Sequence, residues 1–325
     1  MRINYKMIKI KIVVILLLFS VSVYAQQAVQ YTQFMMNDYG LNPAVAGSGK
    51  GLYVMVGRRS QWRGFAFAPE TNFASVTKAF GKKGFKYYWH GIGAYVEQDK
   101  FGVFTNQAAY GSYAIHLKLS AKYYFSVGIA AGIKSVALTN SVFNATDPAL
   151  SQISPQVLLP DFIPGIYLYS KKIAVGLSLR NIYKNSLKQA SNKIGTPGRL
   201  LPTAVFSASK KFKSEGYDYV FVPGVNIQSN FIGIPSAQFN FMTYFRQRIG
   251  LGLSYRMHDA ISGMIQIRVF KNVLVGFAYD YTISRFRSAN ANSTEFMMGM
   301  SPVMSSEGYD RPNGAADCPK FDFDF

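Results

Sequence analysis

The sequence predicts an all-β protein, a transmembrane antiparallel β-barrel of about 14 strands with an N-terminal plug or lead-in segment and a short C-terminal tail. Three observations predict it: an export signal, strands that alternate large apolar residues with small or polar ones, and short basic turns that alternate with long loops. The composition agrees, because 16% of the 325 residues are charged and 15% are aromatic, whereas a typical soluble domain has about 25% charged residues.

A signal peptide is predicted over residues 1–25. Residues 2–11 contain four basic residues, residues 12–19 form an unbroken apolar run, and Val23 and Ala25 occupy the usual cleavage positions. The uncharged stretch 12–25 is too short for a spanning helix, which needs about 20 residues. Removing its four basic residues from 35 leaves 31 against 16 acidic ones. The chain stays basic, but an exported protein is a poor candidate for binding nucleic acid.

The strands of the rest of the chain have one face of large apolar residues and one face of small or polar residues. In residues 273–281, for example, Val, Phe and Tyr alternate with Leu, Gly, Ala and Asp. A soluble β-sandwich would bury its large residues and expose its polar ones. The observed pattern instead suits a barrel whose apolar face meets lipid and whose small, polar face lines a lumen.

Fourteen strands are predicted, since closed barrels of this kind have an even number and no sheet edge exposed to lipid. Their approximate bounds are 52–61, 70–79, 88–98, 104–117, 123–137, 162–170, 173–182, 202–211, 219–228, 237–245, 249–257, 260–270, 273–282 and 294–300.

Every second connection is short and basic, which places those turns in the periplasm if the N-terminus lies there. The long loops 138–161 and 183–201 then lie outside the cell. The basic turns are either simply solvated or form a ring that meets anionic lipid headgroups or an acidic partner. Their residues are Lys82, Lys83, Lys171, Lys172, Lys211, Lys213, Arg246, Arg248 and Lys271.

The chain before the first strand has two interpretations. A barrel of fourteen strands is too wide to be filled by side chains alone, so residues 26–50 either lead into the first strand or fold under or into the lumen as a plug. Residues 51–300 are then the barrel, and residues 301–325, with Cys318, are a periplasmic tail.

The first external hairpin is a candidate contact surface for a partner protein. It presents Trp62, Arg63 and Phe65, with Arg59 close by in sequence, and Trp and Arg dominate interface hot spots. The alternative is a Trp in the interfacial aromatic belt with Arg at the lipid boundary.

Catalytic, metal and cofactor sites are not expected. His90, His116 and His258 lie in different strands or loops, and no motif joins one of them to a nucleophile. His116 and His258 are interpreted as residues at the membrane interface.

Three motifs give a family resemblance. Residues 30–37 read QYTQFMMN, residues 41–47 read LNPAVAG, and residues 59–71 read RSQWRGFAFAPET. In this order and spacing they resemble the N-terminal motifs of the PorP/SprF family of Bacteroidetes outer-membrane proteins, over residues 30 to about 299. The family residues of the first two motifs include Gln33, Asn37, Asn42, Pro43, Ala44 and Gly47. Near the end, NSTEF at 292–296 replaces the G-S-H-E-[IL] of family members, so that Glu295 is retained and the Gly and His are missing.

The resemblance implies a role in type IX secretion or gliding motility. Members of that family help to deliver a large surface protein, often an adhesin, and to hold it at the cell surface by its C-terminal sorting domain. The implied partners are this secreted protein, further components of the secretion system on the periplasmic side, and outer-membrane lipid. The alternative is a porin or hydrophobic-solute channel, in which Arg180, Arg256 and Arg268 would line an open lumen.

Overall fold

In a computed structural model, the protein is described over residues 29–49, 51–81, 87–138, 156–182, 186–187, 198–199, 201–214, 219–246, 248–270, 272–284, 287 and 291–301. The expected signal peptide, most of both long loops, the tail with Cys318, and the basic residues Lys82, Lys83 and Lys271 lie outside these ranges. Within the described ranges, none of the helices has the length and apolar character needed to cross a membrane.

The fold is a closed antiparallel β-barrel, and fourteen strands of the described chain form its wall. The strands are β1 (Leu52–Arg63), β2 (Glu70–Phe80), β3 (Tyr88–Phe101), β4 (Phe104–Lys118), β5 (Tyr124–Leu138), β6 (Gln156–Tyr169), β7 (Ile173–Arg180), β8 (Ser186–Leu187), β9 (Gly198–Arg199), β10 (Thr203–Lys210), β11 (Phe212–Lys213), β12 (Tyr219–Ser229), β13 (Ser236–Phe245), β14 (Ile249–Arg256), β15 (Ala260–Phe270), β16 (Val273–Thr282) and β17 (Asn292–Met300). Ahead of them lie a one-turn helix, α1 (Asp38–Leu41), and a 3₁₀ turn (Pro43–Val45).

Each wall strand pairs with its sequence neighbour, and β1 pairs with β17 to close the barrel. The three two-residue strands are not counted among the strands of the wall. The strands β8 and β9 form a hairpin in the connection from β7 to β10, and β11 pairs with β12 just after the end of β10. The predicted number of wall strands is therefore confirmed.

The strand faces follow the predicted alternation. In β16, Gly276, Ala278 and Asp280 are buried towards the lumen, whereas Phe277 and Tyr279 are exposed on the outside. The exposed side chains of the other wall strands are mainly Ile, Leu, Phe and Tyr. This outer face is the one that lipid solvates, which explains why a stable structure leaves so many large apolar residues uncovered.

The strand bounds differ from the prediction mainly in β6, which starts at Gln156 rather than at 162. Pro160 and Pro164 interrupt its pattern, and prolines argue against a strand interior. In the structure, the ladder of β6 with β7 covers Gly165–Tyr169, so both prolines lie beyond it. The smaller changes are extensions of β3 to Phe101 and of β17 back to Asn292.

The two rims of the barrel differ in their connections. One rim carries the short turns, such as the one between β6 and β7, where the Ser170 hydroxyl accepts the backbone N–H groups of Lys172 and Ile173. The other rim also has short turns, from β3 to β4 and from β14 to β15, but it carries the two longest connections, from β5 to β6 and from β7 to β10. Outer-membrane barrels place short turns in the periplasm and longer loops outside. We therefore call these the periplasmic rim and the outer rim.

Candidate functional site in the barrel lumen

The chain from Val29 to Gly49, here called the lumen segment, lies inside the barrel. Residues 31–48 are buried, and their hydrogen bonds reach β1, β3 to β7 and β13 to β17. A segment bonded to strands on every side of the wall is surrounded by it. The wide interior of the fourteen-strand barrel is thus occupied by backbone as well as by side chains.

Asn42 and the two residues after it fix the lower half of the lumen segment, which is the half nearer the periplasmic rim. The Asn42 Oδ1 atom accepts the backbone N–H of Ala44 at 2.9 Å and so caps the 3₁₀ turn, in which Pro43 is the first residue. The Asn42 Nδ2 atom donates to the backbone oxygen of Ile166 at 2.8 Å. The Ala44 oxygen accepts the hydroxyl of Ser126 at 2.7 Å. One short motif therefore binds two neighbouring strands.

Inward-facing glycines let this half of the segment approach the wall closely. A Cβ atom added to Gly91 would lie 1.8 Å from the backbone oxygen of Ala46, and one added to Gly128 would lie 2.5 Å from the Cα atom of Ala44. Real Cβ contacts are not that short. Gly91 and Gly128 are therefore required by the segment's backbone, which lies where their side chains would be.

Aromatic side chains hold the lower end of the segment near the periplasmic rim. Trp89 donates its Nε1 proton to the oxygen of Gly47 at 3.0 Å, and its ring stacks on His116 at 5.0 Å between centroids. The Nε2 atom of His116 lies 2.7 Å from the Ala46 oxygen and its Nδ1 atom 2.7 Å from the Tyr169 hydroxyl. A carbonyl oxygen can only accept, so Nε2 carries a proton. The expectation that His116 lies at the membrane interface is wrong, since it is fully buried in the lumen.

A cluster of charges, here called the latch, holds the upper end of the segment. The two carboxylate oxygens of Glu295 accept the backbone N–H groups of Thr32 at 2.8 Å and Gln33 at 2.7 Å. Arg59 bridges Glu295 at 3.1 Å and Asp280 at 2.7 Å. Both carboxylates are therefore paired with a guanidinium, and Glu295 is also paired with the segment's own backbone.

The Thr32 hydroxyl bonds to three charged side chains of the latch. It donates to Asp280 at 2.8 Å and accepts from the guanidinium groups of Arg59 and Arg256, each at 2.9 Å. The Thr32 backbone oxygen also accepts the side-chain amide of Asn240 at 2.7 Å. The latch contains two guanidinium groups facing Asp280 and Glu295, and its charges are compensated inside the protein.

The residues expected to form one partner-binding surface are not all together. Arg59 is 1% exposed and belongs to the latch, so its side chain does not reach the outer surface. Trp62, Arg63 and Phe65 do lie at the outer rim: Trp62 is half-buried, Arg63 is exposed, and Phe65 is 41% exposed. The Phe67 oxygen accepts the backbone N–H of Gly102, which ties this hairpin to the next outer hairpin.

The basic turns lie on the periplasmic rim, and most of those described are exposed. Lys211 differs, because it is 7% exposed and continues the inward-facing positions of β10. It is therefore not part of the solvated ring. The exposed members are Lys171, Lys172, Lys213, Arg246 and Arg248.

A family model for the type IX secretion system membrane protein PorP/SprF matches residues 23–300. The chain belongs to the PorP/SprF family. No curated protein matches it. Among solved structures, it is similar to the monoaromatic hydrocarbon channel CymD, with 12% identity, 83% of this chain and 91% of that chain covered, and a TM-score of 0.49. The Omp33 outer-membrane protein of Acinetobacter baumannii has 8% identity, 78% and 99% coverage, and a TM-score of 0.43. Identities this low carry no function from those proteins to this one.

As a PorP/SprF barrel, the protein is a membrane component of the type IX secretion system and resides in the outer membrane. The family is one of secretion-system membrane proteins rather than of enzymes. Among the described side chains, no group of three or more His, Cys, Asp or Glu is placed to hold a metal. The PorP/SprF motif residues Gln33, Asn37, Asn42, Pro43, Ala44 and Gly47 are all buried in the lumen segment.

Sequence reasoning missed the partners of these PorP/SprF motifs. Thr32, Asp280 and the aromatic pair Trp89 and His116 were not singled out together, since each lies far along the chain from its contacts. One local signal was available: a carboxylate on the small, polar face of a strand, as at Asp280, must face the lumen and needs a buried partner.

Asn42→Ala is expected to lower the free energy of unfolding by about 1–2 kcal/mol, because it removes the cap of the 3₁₀ turn and the donor to Ile166. Asn42→Ser is the matched control, since its hydroxyl oxygen keeps a capping acceptor while the amide donor to Ile166 is lost. Urea unfolding in lipid vesicles would measure both. Equal stability of the Asn42→Ala variant and the unaltered barrel would contradict the role given to Asn42.

Proposed function

We propose that this barrel helps to export a large, adhesin-like surface protein and to attach it to the cell by recognising its C-terminal sorting domain. The observation that carries the proposal is the match of residues 23–300 to a membrane protein of the type IX secretion system. A membrane component of a secretion system acts on exported proteins, and a barrel offers one surface to the cell exterior and another to the periplasm.

The outer hairpin supports a site for the exported protein. Phe65 and Phe67 are 41% and 59% exposed, and Arg63 is exposed beside them. The hydrogen bond from Gly102 to Phe67 holds the hairpin against its neighbour. Apolar rings and a guanidinium on a braced loop form the kind of surface at which interface hot spots occur. We assign Trp62, Arg63 and Phe65 to contact with the exported protein.

The exposed basic turns support a second contact on the periplasmic rim. Lys171, Lys172, Lys213, Arg246 and Arg248 are exposed there. A ring of like charge at a membrane surface attracts acidic groups. We assign this ring to anionic lipid headgroups and to acidic surfaces of other secretion components.

The interior of the barrel supports this adaptor function over an open porin. The lumen segment runs through the interior that a water-filled channel would need, and its residues 31–48 are buried there. Arg180 and Arg256, which would line a pore, instead donate to the Gly40 oxygen and the Thr32 hydroxyl. Steady, large conductance of the pure barrel in planar bilayers would contradict the adaptor and favour the porin.

Gentle detergent extraction from the native membrane, followed by mass spectrometry, tests the proposed function. We expect a large surface protein with a C-terminal sorting domain to co-purify, together with components of the secretion system. Recovery of only lipopolysaccharide and the barrel, under several mild conditions, would contradict the proposal.

Trp62→Ala is expected to weaken binding of the isolated sorting domain about 30-fold, because a hot-spot Trp contributes about 2 kcal/mol. Tyr123→Ala is the control, since Tyr123 is 43% exposed in the turn between β4 and β5 on the opposite, periplasmic rim. Binding to the barrel in nanodiscs measures both. An equal effect of the two substitutions would show that the Trp62 hairpin is not the specific contact.

A further inference from the structure

The two ends of the lumen segment lie at opposite rims. At the upper end, the Gln30 side chain accepts the hydroxyl proton of Ser236, the first residue of β13 on the outer rim. At the lower end, Gly47 bonds to Trp89, the second residue of β3 on the periplasmic rim. The chain therefore enters the lumen from the outer mouth and descends to β1.

The residues between these ends descend in order. Thr32 meets Asp280, which is two residues from the outer end of β16. Tyr39 bonds to Ser112 in the middle of β4. Ala46 bonds to His116, two residues before the periplasmic end of β4. The contacts thus run monotonically from the outer rim to the periplasmic rim.

We infer that the lumen segment spans the outer membrane inside the barrel, with its Gln30 end reachable from the cell exterior and its Gly49 end reachable from the periplasm. The expectation of a periplasmic N-terminus holds only for the start of β1. The lumen segment then crosses the membrane from the outer rim to the periplasmic rim, and β1, which follows it in the chain, crosses back from the periplasmic rim to the outer rim.

The chemistry of the wall fixes this direction. Near the outer rim, Asp280 and Glu295 need the donors that Thr32 and Gln33 supply. Near the periplasmic rim, Gly91 leaves room for a bare backbone. A reversed segment would leave the two carboxylates with Arg59 but without their backbone and hydroxyl donors, and buried acceptors that lose their donors cost stability.

This direction makes the outer end of the lumen segment part of the surface seen from outside. Gln30 is bonded at the base of the hairpin between β12 and β13. The tip of that hairpin exposes Phe231, Ile232 and Ile234, the last of these at 84%. A protein that approaches the outer mouth therefore meets the lumen segment and this apolar hairpin side by side.

Single cysteines test the inference on intact cells. Gln30→Cys and Gly49→Cys are placed separately in the full chain carrying Cys318→Ser, and a membrane-impermeant maleimide is added before and after permeabilisation of the outer membrane. Phe67→Cys marks the outer rim and Leu119→Cys the periplasmic rim, because these side chains are 59% and 60% exposed.

We expect Gln30→Cys to react on intact cells as Phe67→Cys does, and Gly49→Cys to react only after permeabilisation, as Leu119→Cys does. Reaction of Gln30→Cys only after permeabilisation would overturn the inference. If Gln30→Cys fails to reach the membrane, Val29→Cys, which is also half-buried, replaces it with the same expected result. Failure of a folded variant to react on either side would equally overturn it.

Discussion

Glu295→Gln is expected to lower the free energy of unfolding by about 3–5 kcal/mol, because it breaks a buried ion pair and leaves Arg59 short of compensation. The new amide would also direct N–H donors at the N–H groups of Thr32 or Gln33, which now share the carboxylate. Urea unfolding of the barrel in lipid vesicles, followed by tryptophan fluorescence, measures the change.

Glu70→Gln is the matched control for this prediction. Glu70 pairs with Arg58 at the surface, where the Arg58 side chain is 63% exposed, and exposed pairs contribute about 0–1 kcal/mol. The double variant Arg59→Met with Glu295→Gln should lose less stability than the sum of the single changes, because both single changes remove the same Arg59–Glu295 interaction. Equal effects at Glu70 and Glu295 would contradict the latch.

Gly91→Ala is expected to drive the lower half of the lumen segment out of its position and open the barrel to ions. The added methyl group would lie 1.8 Å from the Ala46 oxygen, which belongs to the backbone and cannot rotate away. Overpacking of this kind costs about 1–3 kcal/mol or more. Planar-bilayer recording should change from near silence to large, steady conductance, because fourteen strands enclose more space than side chains fill.

Gly111→Ala is the matched control, since a Cβ atom at Gly111 of β4 meets nothing within 4 Å. The Gly111→Ala barrel should show no large conductance in planar-bilayer recording. If Gly91→Ala does not assemble, Gly128→Ala tests the same half of the lumen segment through a second close contact, with the Ala44 backbone. A folded Gly91→Ala or Gly128→Ala barrel that stays silent would show that the segment does not seal the lumen.

The barrel could be predicted from the sequence because lipid imposes a local, repeating signal on every strand. In β16, the predicted bounds 273–282 agree with Val273–Thr282, and the aromatic residues Phe277, Tyr279 and Tyr281 face outward. Where the signal is interrupted, the prediction was wrong, as at Pro160 in β6. A proline is allowed there because the described ladder to β7 begins only at Gly165.

The interior could be predicted only in part. The motifs drew attention to Asn42 and Gly47, but their partners lie on strands that only folding brings near. Arg59 was assigned to the outer surface because it is close to Trp62 in sequence. Its side chain points the other way, because it shares the lumen face of β1 with Met55 and Gly57. Strand parity fixes such orientations only once the register of the strand is known.

The position of the latch has a consequence for assembly. Arg59 and Glu295 are direct cross-strand partners in the ladder between β1 and β17, the seam at which the barrel closes. Glu295 also binds Thr32 across 263 positions of sequence. A slip of one residue at this seam would turn Glu295 towards lipid and leave Arg59 without it. The ion pair thus distinguishes a correctly closed barrel from a misregistered one, and the lumen segment can bind fully only in the former.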